Sequence, residues 1–581
     1  MSAIFGFTGP RDRKTLLKMS NALSHRGAHC IFFDETDEIS IGYRSHFEES
    51  LREKLGTGIY REEDAAVALA GHLTNADEFQ PVLPSILQMY REQGLAFAKS
   101  LRGAFVLVLC DGDTTHLIRD SAGMRTIYYG THDKRFFFSV EPKGILAVPR
   151  FPRRIRPAAV ARFLTFSFQP GKDTMLQDLS EAPAACTVSV NGFPEPRLRR
   201  YSDFEVTGPR EELSDSEWIS RWRDTFQQSV KERLPGSEPV GVFLSGGIDS
   251  SVVAAEVARQ HTGPLKSYAV HFGEKYPNEL EYAKMVAEHC NIDHEEVLIR
   301  PRNFLPRLRK IIWHLDDVIG DPVAMPNFEL SRLVSRDTRW VFNGEGGDPL
   351  FGGPKNIPMM LHHWYGGIER APNFRQTLYL ASYRRAYEEL PRLLSPEWLE
   401  QIDMKRDLEE LLTPFFQSGK PANFLDKLTA INIRLKGAHL ILPKVERMTG
   451  AWGLTPLSPL FDERLLHMSF EMPSRFKLDK GIEKVILKEA YARDLPEEII
   501  ARPKSGMRVP VHYWLKGEMK RYARNILGPR NVRRVGIFNP ERVKQLLRYD
   551  TQEGPGRYGL RLWMLITFEI WRRIVIEGES P

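Results

Sequence analysis

A short segment in the middle of the chain has the residue types needed to bind phosphate. The apolar run at 242–244 predicts a buried strand, because parallel strands covered on both faces are continuously hydrophobic. Gly246 and Gly247 follow, and without a Cβ they let backbone N–H groups approach an anion. The helix predicted to begin near Ser250 directs its partly positive end into the same turn. The segment therefore predicts a phosphate-binding loop.

Asp249 lies inside this loop, where its charge would repel a bare phosphate. A bound Mg²⁺ removes the conflict, because it takes oxygen ligands from carboxylates and phosphates together. The loop is not of the Walker type, since no Gly-Lys-Ser/Thr follows the glycines. We interpret it as a pyrophosphate-binding loop that uses magnesium. An ordinary strand–helix turn is the alternative.

Four segments carry a resemblance to a known family. Ser245-Gly-Gly-Ile-Asp-Ser-Ser251 resembles the signature of the ATP pyrophosphatases, which cleave ATP to AMP and pyrophosphate. Asn343-Gly-Glu-Gly-Gly-Asp-Pro-Leu-Phe-Gly-Gly353 resembles the second phosphate and metal motif of the asparagine synthetases. Ile319-Gly-Asp-Pro322 and Arg502-Pro-Lys-Ser-Gly506 also match that family. The match extends through most of the chain in the right order.

The resemblance implies ATP and Mg²⁺ as the cofactors and a role for each matching position. Asp249 and Asp348 would hold the metal ion. Lys504, which follows a helix predicted over 483–494, would stabilise charge as an amine attacks and pyrophosphate or AMP leaves. Glu345 would accept a proton. The residues implied to contact ATP, with Leu244 and Val270 flanking the adenine, are Leu244, Ser245, Gly246, Gly247, Asp249, Ser250, Val270, Asn343 and Gly344.

The first 200 or so residues are predicted to be mainly β. Short runs of β-forming residues alternate with turn residues at 3–7, 66–70, 104–109, 126–129 and 136–140. Helical patterns cover 13–24 and 82–99. In this order, the pieces resemble the glutaminase domain of asparagine synthetases, a layered sheet structure whose N-terminal cysteine releases ammonia from glutamine.

The chemistry of that domain is predicted to be missing. Ser2 stands where the family has cysteine, and a hydroxyl is a far weaker nucleophile than a thiolate. Ala70-Gly71-His72 stands where the family has the oxyanion-binding Asn-Gly-Glu, and losing one such donor typically costs about 10²–10³ in rate. The arginine that holds the glutamine carboxylate falls at Arg44 or Ser45. If Met1 is removed, the new α-amine could act as a base, so chemistry at Ser2 stays open.

The predicted fold class is α/β in two domains. Residues 1–205 are expected to form the β-rich, layered, inactive glutaminase-like domain. Residues 206–581 are expected to form an ATP-pyrophosphatase domain with a doubly wound parallel sheet and a helical C-terminal part. A capping box at Ser214 and Glu217 predicts the helix that leads into the second domain. Strand ends at Leu244, Val270 and Asn343 would meet at the ligand site, beyond the carboxyl edge of the sheet.

Composition excludes several classes of protein. The 581 residues, 42% hydrophobic and 27% charged, predict a soluble globular protein of at least two domains. A net charge of +6, from 81 basic and 75 acidic residues, gives no case for nucleic acid. The cysteines lack paired spacing, which disfavours zinc and disulfides and favours the cytoplasm. Neither a signal peptide nor an apolar run of about 18 residues is evident, so no membrane association is expected. A homodimer is the habit of the family, and the oligomeric state stays open.

The predicted function is that of a cytoplasmic, ATP-dependent, amide-forming ligase. A substrate carboxylate would attack the α-phosphate of ATP to give an acyl-adenylate, and an amine would then displace AMP. Family members without the glutaminase cysteine are mostly cyclases, so peptide macrolactam formation, as in lasso-peptide cyclases, is the first hypothesis. β-Lactam synthetases, which carry Tyr where this chain has Glu345, are disfavoured.

Two other hypotheses remain open. The first is an ammonia- or amine-dependent ligase that acts on a small metabolite. Free aspartate is disfavoured as its substrate, because Thr455 and Leu457 replace a Glu and an Arg of the family. The second is a non-catalytic protein that binds ATP or a peptide and delivers it to a partner protein. Aromatic residues at 364, 365, 379 and 383 suit either a large substrate or a helical core.

Overall fold

The computed structural model describes the chain except residues 29, 193–194, 204–211, 354–355, 366–372, 383–385, 418–422, 504–505 and 549–554. Antiparallel sheets occupy the chain up to residue 200, and a parallel sheet with many helices follows from residue 214. The predicted α/β fold class is confirmed. The predicted boundary at 205/206 falls outside the described residues and stays a prediction.

The N-terminal part contains two sheets. In chain order, their strands are β1 (Ser2–Thr8), β2 (Cys30–Glu35), β3 (Ile39–Ser45), β4 (Gly58–Glu62), β5 (Ala65–Leu73), β6 (Gly103–Asp111), β7 (Thr114–Arg119), β8 (Tyr128–His132), β9 (Arg135–Ser139), β10 (Ser180–Glu181), β11 (Cys186–Asn191) and β12 (Arg197–Arg200). The order is β10-β8-β9-β1-β3-β2 in the first sheet and β12-β11-β7-β6-β5-β4 in the second. Because β1 lies inside its sheet, Ser2 is paired with Ser45 of β3.

Helices cover these sheets, and strand β5 shows how the layers form. The helices of this part are α1 (Arg13–Ala22), α2 (Glu49–Leu55), α3 (Val82–Gln93), α4 (Pro142–Leu146) and α5 (Pro157–Phe166). Ala66 and Ala68 share a core with Phe5 of the first sheet, whereas Val67 and Leu69 pack in another core with residues of α3. Successive side chains of a strand point to opposite faces, so one face of the second sheet meets the first sheet and the other meets α3.

The second part is built on one parallel sheet. Its strands are β13 (Val240–Phe243), β14 (Leu265–His271), β15 (Asp293–Leu298), β16 (Trp340–Phe342) and β17 (Thr455–Leu457), in the order β15-β14-β13-β16-β17. Every pairing is parallel. The chain first winds outward from β13 to β15 and then returns to place β16 on the other side of β13. The reversal between β13 and β16 creates the crevice in which such sheets bind ligands.

Helices surround this sheet and form most of the C-terminal part. In chain order they are α6 (Asp215–Lys231), α7 (Ile248–Gln260), α8 (Leu280–His289), α9 (Pro301–Phe304), α10 (Leu308–Leu315), α11 (Ala324–Val334), α12 (Gly347–Phe351), α13 (Asn356–Tyr365), α14 (Phe374–Ser382), α15 (Leu390–Leu393), α16 (Pro396–Leu399), α17 (Thr413–Gln417), α18 (Phe424–Ile431), α19 (Leu442–Gly450), α20 (Glu463–Glu471), α21 (Val485–Ala490), α22 (Glu497–Ala501), α23 (Val511–Lys516), α24 (Lys520–Ile526), α25 (Pro529–Val535), α26 (Pro540–Arg548) and α27 (Pro555–Val575). A π-helical stretch, Asn432–Ile441, precedes α19, and a hairpin of β18 (Leu478–Asp479) and β19 (Ile482–Glu483) precedes α21.

Local predictions for these helices have mixed outcomes. The capping box of α6 is present, with Ser214 N donating to Glu217 Oε2 at 2.8 Å. Tyr379 is buried in the helical core, while Tyr383 lies outside the described residues. The side chains at positions 364 and 365 lie outside the part of the chain that the structure describes. None of the described helices is both long and apolar enough to cross a membrane.

Candidate active site

The predicted phosphate loop joins strand β13 to helix α7. Gly246 has a φ of +71°, and a Cβ there would lie 2.5 Å from backbone atoms of Tyr282 and Ala283. Only glycine fits this left-handed, crowded position without strain. Ser250 Oγ accepts from the backbone N–H of Ser245 at 3.2 Å and lies 3.1 Å from Ser245 Oγ, which closes the turn. The loop is therefore preshaped by its own small residues.

The second predicted motif follows β16 and lies directly against this loop. A Cβ at Gly344 would lie 2.6 Å from Ser250 N, and a Cβ at Gly347 would lie 2.0 Å from Asp249 Oδ1. Both glycines are needed because the two loops leave no space for side chains between them. Asn343 Oδ1 accepts from Glu345 N at 3.1 Å, which fixes the start of the second loop.

Lys484 joins the two carboxylates that the sequence assigns to a metal ion. Its Nζ lies 2.5 Å from Asp249 Oδ2 and 2.5 Å from Asp348 Oδ1, and its side chain is 1% exposed. Lys484 has a left-handed φ of +59° at the N-cap of α21, so the helix predicted over 483–494 begins at Val485 and ends at Ala490. Sequence reasoning missed this residue. One signal in the sequence could have revealed Lys484: it directly precedes the apolar run 485–487. A lysine buried beside such a run needs a negatively charged partner.

The arrangement fits a divalent cation. Carboxylate oxygens from two loops approach one positive centre, the Lys484 ammonium, at 2.5 Å each. Among the described residues, no group of three or more His, Cys, Asp or Glu could hold a metal. Mg²⁺ commonly binds through one or two carboxylates together with substrate phosphates and water. Two carboxylates beside a phosphate loop match that requirement.

A cavity of about 580 Å³ opens at the crevice between β13 and β16. The predicted site residues that line it are Leu244, Ser245, Asp249, Ser250, Val270, Asn343, Gly344, Glu345 and Asp348. Gly246 and Gly247 shape the turn and are absent from the lining. The structure thus brings predicted residues from three separate segments of the sequence to one cavity.

Another wall of this cavity comes from α11 and from the π-helical stretch with α19. It includes the aliphatic side chains of Leu440, Ile441 and Val445, all of which are buried. Lys444 Nζ, on the same wall, pairs with Asp321 Oδ2 at 2.7 Å. The positive charge of Lys444 is therefore already compensated within the protein.

Lys504, the predicted charge-stabilising lysine, lies outside the described residues. Its neighbour Arg502 donates to the carbonyl of Gly246 at 3.0 Å, pairs with Glu279 and lies 3.9 Å over the ring of Tyr282. Met507 and Arg508 line the cavity on the far side of the gap. The segment that carries Lys504 is therefore anchored to the phosphate loop on one side and reaches the cavity on the other.

The predicted glutaminase centre is tightly filled. Ser2 is buried, and its Oγ accepts from the backbone N–H of Gly71 at 2.9 Å. Burial, with Arg233 nearby, lowers the pKa of His72 to about 3. A cavity of about 20 Å³, which is room for about one water molecule, lies between the two parts of the chain and is lined by His72 and Thr455 among others.

Positions 44 and 455 differ from what the resemblance implied. Arg44 donates to the carbonyl of Gly27 at 2.9 Å and to Ser20 Oγ at 2.8 Å, so its guanidinium is engaged by the protein. Thr455 lines the small cavity between the two parts instead of the large one, and Leu457 lines neither. The prediction that these two substitutions disfavour free aspartate therefore stays a prediction. They lie on β17, which the sheet order places beside β16 rather than at the crevice.

The fold and the site define a class of protein with a layered amidotransferase-like part and a nucleotide-binding parallel sheet. Comparison with known proteins identifies the family within this class. The family model described as asparagine synthase matches residues 221–573, and that described as a glutamine amidotransferase domain matches residues 83–201. The chain belongs to the asparagine synthase family and is an ATP-dependent carbon–nitrogen ligase.

Relatives of known name resemble the chain over nearly its whole length. Asparagine synthetase [glutamine-hydrolyzing] 1 of Bacillus subtilis is 25% identical over 97% of this chain and 94% of its own length. A putative asparagine synthetase [glutamine-hydrolyzing] of Mycobacterium tuberculosis is 23% identical over 85% of this chain and 80% of its own. A solved glutamine phosphoribosylpyrophosphate amidotransferase from B. subtilis covers 61% of this chain and 84% of its own at 11% identity, with a TM-score of 0.25.

Proposed function

We propose that this chain adenylates a substrate carboxylate with Mg-ATP and couples it to an amine that does not come from glutamine. The observation that carries the proposal is the convergence of Asp249 and Asp348 on one positive centre, 2.5 Å from each carboxylate, beside the phosphate loop. Asp249 and Asp348 would hold Mg²⁺ here, and the ion would offset the negative charge of the phosphates and of the leaving pyrophosphate.

The remaining residues of the cavity divide the work of binding and proton transfer. Leu244 and Val270 flank the adenine, and Ser245 with the N-terminus of α7 binds phosphate oxygens. Lys504 stabilises charge as the adenylate forms and breaks. Glu345 accepts the proton that the attacking amine loses.

The N-terminal part supports an amine source other than glutamine. Ser2 stands where the family has cysteine, and its Oγ is engaged by the backbone N–H of Gly71 at 2.9 Å. His72 is held neutral, and it stands where the family has an acidic side chain. The amine is therefore carried by the substrate or arrives as free ammonia.

The first candidate reaction is peptide macrolactam formation. The cavity has a volume of about 580 Å³, and one of its walls presents Leu440, Ile441 and Val445. A peptide offers apolar surface to such a wall, whereas free aspartate offers a second carboxylate that needs a cation. Lys444 is already paired with Asp321, but Lys436 and Arg508 also line the cavity. The apolar wall therefore supports a substrate with apolar surface, and the basic residues can bind its carboxylate.

The second candidate is an ammonia- or amine-dependent ligase for a small metabolite. It is favoured by the similarity to a named asparagine synthetase over 97% of the chain. The two candidates share the adenylation step and differ in the acid and the amine. Product analysis separates them.

The test is pyrophosphate release from Mg-ATP, with glutamine, ammonia, aspartate and a panel of Asp- or Glu-containing peptides offered in turn. Asp249→Ala should abolish release, whereas Asp224→Ala, at an exposed position of α6, should preserve it. Release stimulated only by a peptide, with loss of one water from the peptide mass, would establish cyclisation. Asparagine formed from aspartate and ammonia would rule cyclisation out. Nucleotide binding without release for any acid would favour the non-catalytic partner protein.

A further inference from the structure

A second cavity, the junction cavity, lies between the N-terminal part and the helices α10 and α27. Its volume is about 290 Å³, and it shares no lining residue with the larger cavity at the crevice. Trp313 and Trp571 supply aromatic walls, while Leu146 and Ile574 supply aliphatic ones. The size and the mainly apolar lining with a few polar groups are those of a small-ligand pocket.

One positive charge at the junction cavity, that of the solvent-exposed Arg153, has no carboxylate partner among the described residues. Lys143 Nζ lies 2.5 Å from Glu141 Oε2 and 3.2 Å from Asp316 Oδ2, so its charge is balanced within the protein. Arg153 instead donates to the carbonyls of Val575 at 2.7 Å and Leu146 at 2.9 Å. Across the part of the chain that the structure describes, no carboxylate lies within ion-pair distance of Arg153. A guanidinium of this kind favours an anionic ligand.

The negatively charged wall of the junction cavity, which carries Asp316, is held in place by hydrogen bonds. Asp316 adopts φ +69° and ψ −64°, a conformation that is unfavourable for a residue other than glycine. The indole Nε1 of Trp571 donates to the Asp316 carbonyl at 2.9 Å, and Lys143 N donates to its carboxylate at 3.2 Å. These bonds fix Asp316 and one of the two tryptophans in place. Strained, over-determined residues of this kind cluster at ligand sites.

We infer that the junction cavity binds a small planar carboxylate, with its ring against the half-buried Trp313 and the aliphatic wall and its carboxylate on Arg153. Lys143 Nζ lies 4.4 Å from the centroid of the Trp313 ring, so the edge and the other face of this indole are left for the ligand, and the Arg153 guanidinium provides the charge-assisted hydrogen bond. A cationic ligand with the same ring is excluded by the same guanidinium. The site is independent of the ligase reaction, because it requires neither ATP nor a substrate.

Calorimetric titration of the full-length protein with two matched probes tests the inference. Indole-3-acetate and tryptamine carry the same ring with opposite charges, and saturating Mg-ATP keeps both away from the adenine site. We expect one binding site for indole-3-acetate and none for tryptamine. Equal binding of the two probes, or no binding of either, would overturn the proposal.

Two substitutions locate the site. Arg153→Gln should weaken indole-3-acetate binding about 10- to 100-fold, the loss typical of a charge-assisted hydrogen bond. Arg154→Gln is the matched control, because Arg154 pairs with Asp178 outside the cavity. Trp313→Leu should also weaken binding, and unchanged thermal unfolding would show that the variants are folded. Unaltered affinity in both Arg153→Gln and Trp313→Leu would show that the probe binds elsewhere.

Discussion

Lys484 holds two carboxylates together in the absence of a metal ion. Its side chain is 1% exposed, so Lys484→Met would remove a buried cation that lies between Asp249 and Asp348. We expect this change to lower the free energy of unfolding by about 3 kcal/mol in metal-free buffer, because one member of a buried ion group is lost. Mg²⁺ can replace the missing charge, so it should raise the Tm of the variant more than that of the wild type.

Thermal unfolding with and without Mg²⁺ measures both effects. Lys480→Met, at an exposed position of the neighbouring hairpin, is the control and should behave like the wild type. Wild-type stability of Lys484→Met in metal-free buffer would contradict the role given to the lysine.

Glu463 is a second residue whose substitution should change the stability of the protein, in this case in a pH-dependent way. Burial, together with the neighbouring charge of Asp462, raises the pKa of Glu463 to about 8. The folded protein therefore keeps a proton that the unfolded chain releases above its ordinary pKa of about 4.3, so stability falls as the pH rises between these values. Glu463→Gln should remove this fall and stabilise the protein at pH 8.5 by roughly 1–4 kcal/mol.

Urea unfolding at a series of pH values compares the Glu463→Gln variant with the wild type. The two curves should converge near pH 4, where the carboxyl is protonated in both states of the wild type. Parallel curves over the whole range would show that Glu463 is ionised in the folded protein.

At the scale of the elements, the loop after β13 and the loop after β16 are in close contact because glycines lie where they meet. Helix α12 begins at Gly347, and a Cβ there would lie 2.0 Å from Asp249 Oδ1. Gly347→Ala should therefore push Asp249 out of line with Asp348 and reduce pyrophosphate release at least 100-fold, while most of the fold stays intact. Gly517→Ala, where the nearest atom to a Cβ lies at 3.4 Å, is the control.

Circular dichroism should show folded protein for both glycine variants, and the release assay should separate them. Normal release by Gly347→Ala would mean that the two loops move apart during the reaction.

Across the whole molecule, one buried ion group connects the two parts. Glu446, on α19, accepts from Arg26 at 2.5 and 2.9 Å and from Arg125 at 2.6 Å. Both arginines belong to the N-terminal part, and all three side chains are buried. Glu446→Ala should lower the free energy of unfolding by about 3–5 kcal/mol, because it leaves two buried guanidinium groups without their shared partner.

Denaturant unfolding measures this loss. Glu471→Ala removes the carboxylate of an exposed pair with Arg221 and should change stability by at most about 1 kcal/mol. Equal effects of the two substitutions would show that the interface does not depend on Glu446.

Much of the fold and part of the site could be predicted from short stretches of sequence. Three local features fix the backbone conformation of only the few residues around them: the apolar run at 242–244, the glycines of both loops and the capping box at Ser214. The structure shows the expected strand, turns and helix start at these places. The family resemblance is confirmed by a match over residues 221–573. The roles of the site residues in binding and catalysis stay predictions.

Other features of the fold and the site could not be predicted, because they depend on contacts between residues that are far apart in the sequence. Thr455 and Leu457 lie on a strand that the sheet order places beside β16, and neither residue lines the large cavity. The helix predicted over 483–494 is shorter because Lys484 is drawn to two carboxylates and takes a left-handed conformation. No periodicity or spacing along the chain reports such contacts.

The sequence by itself determined the class of each half, the phosphate loop, the two carboxylates and the substitution of Ser2 for cysteine. These follow from local propensity and from residue type, which act over short distances along the chain. The tertiary structure decided that Lys484, 235 residues from Asp249, lies between the carboxylates, and that Trp313, Trp571 and Arg153 enclose a second cavity. Contacts over such separations arise only when the packing of the sheets and helices brings the segments together.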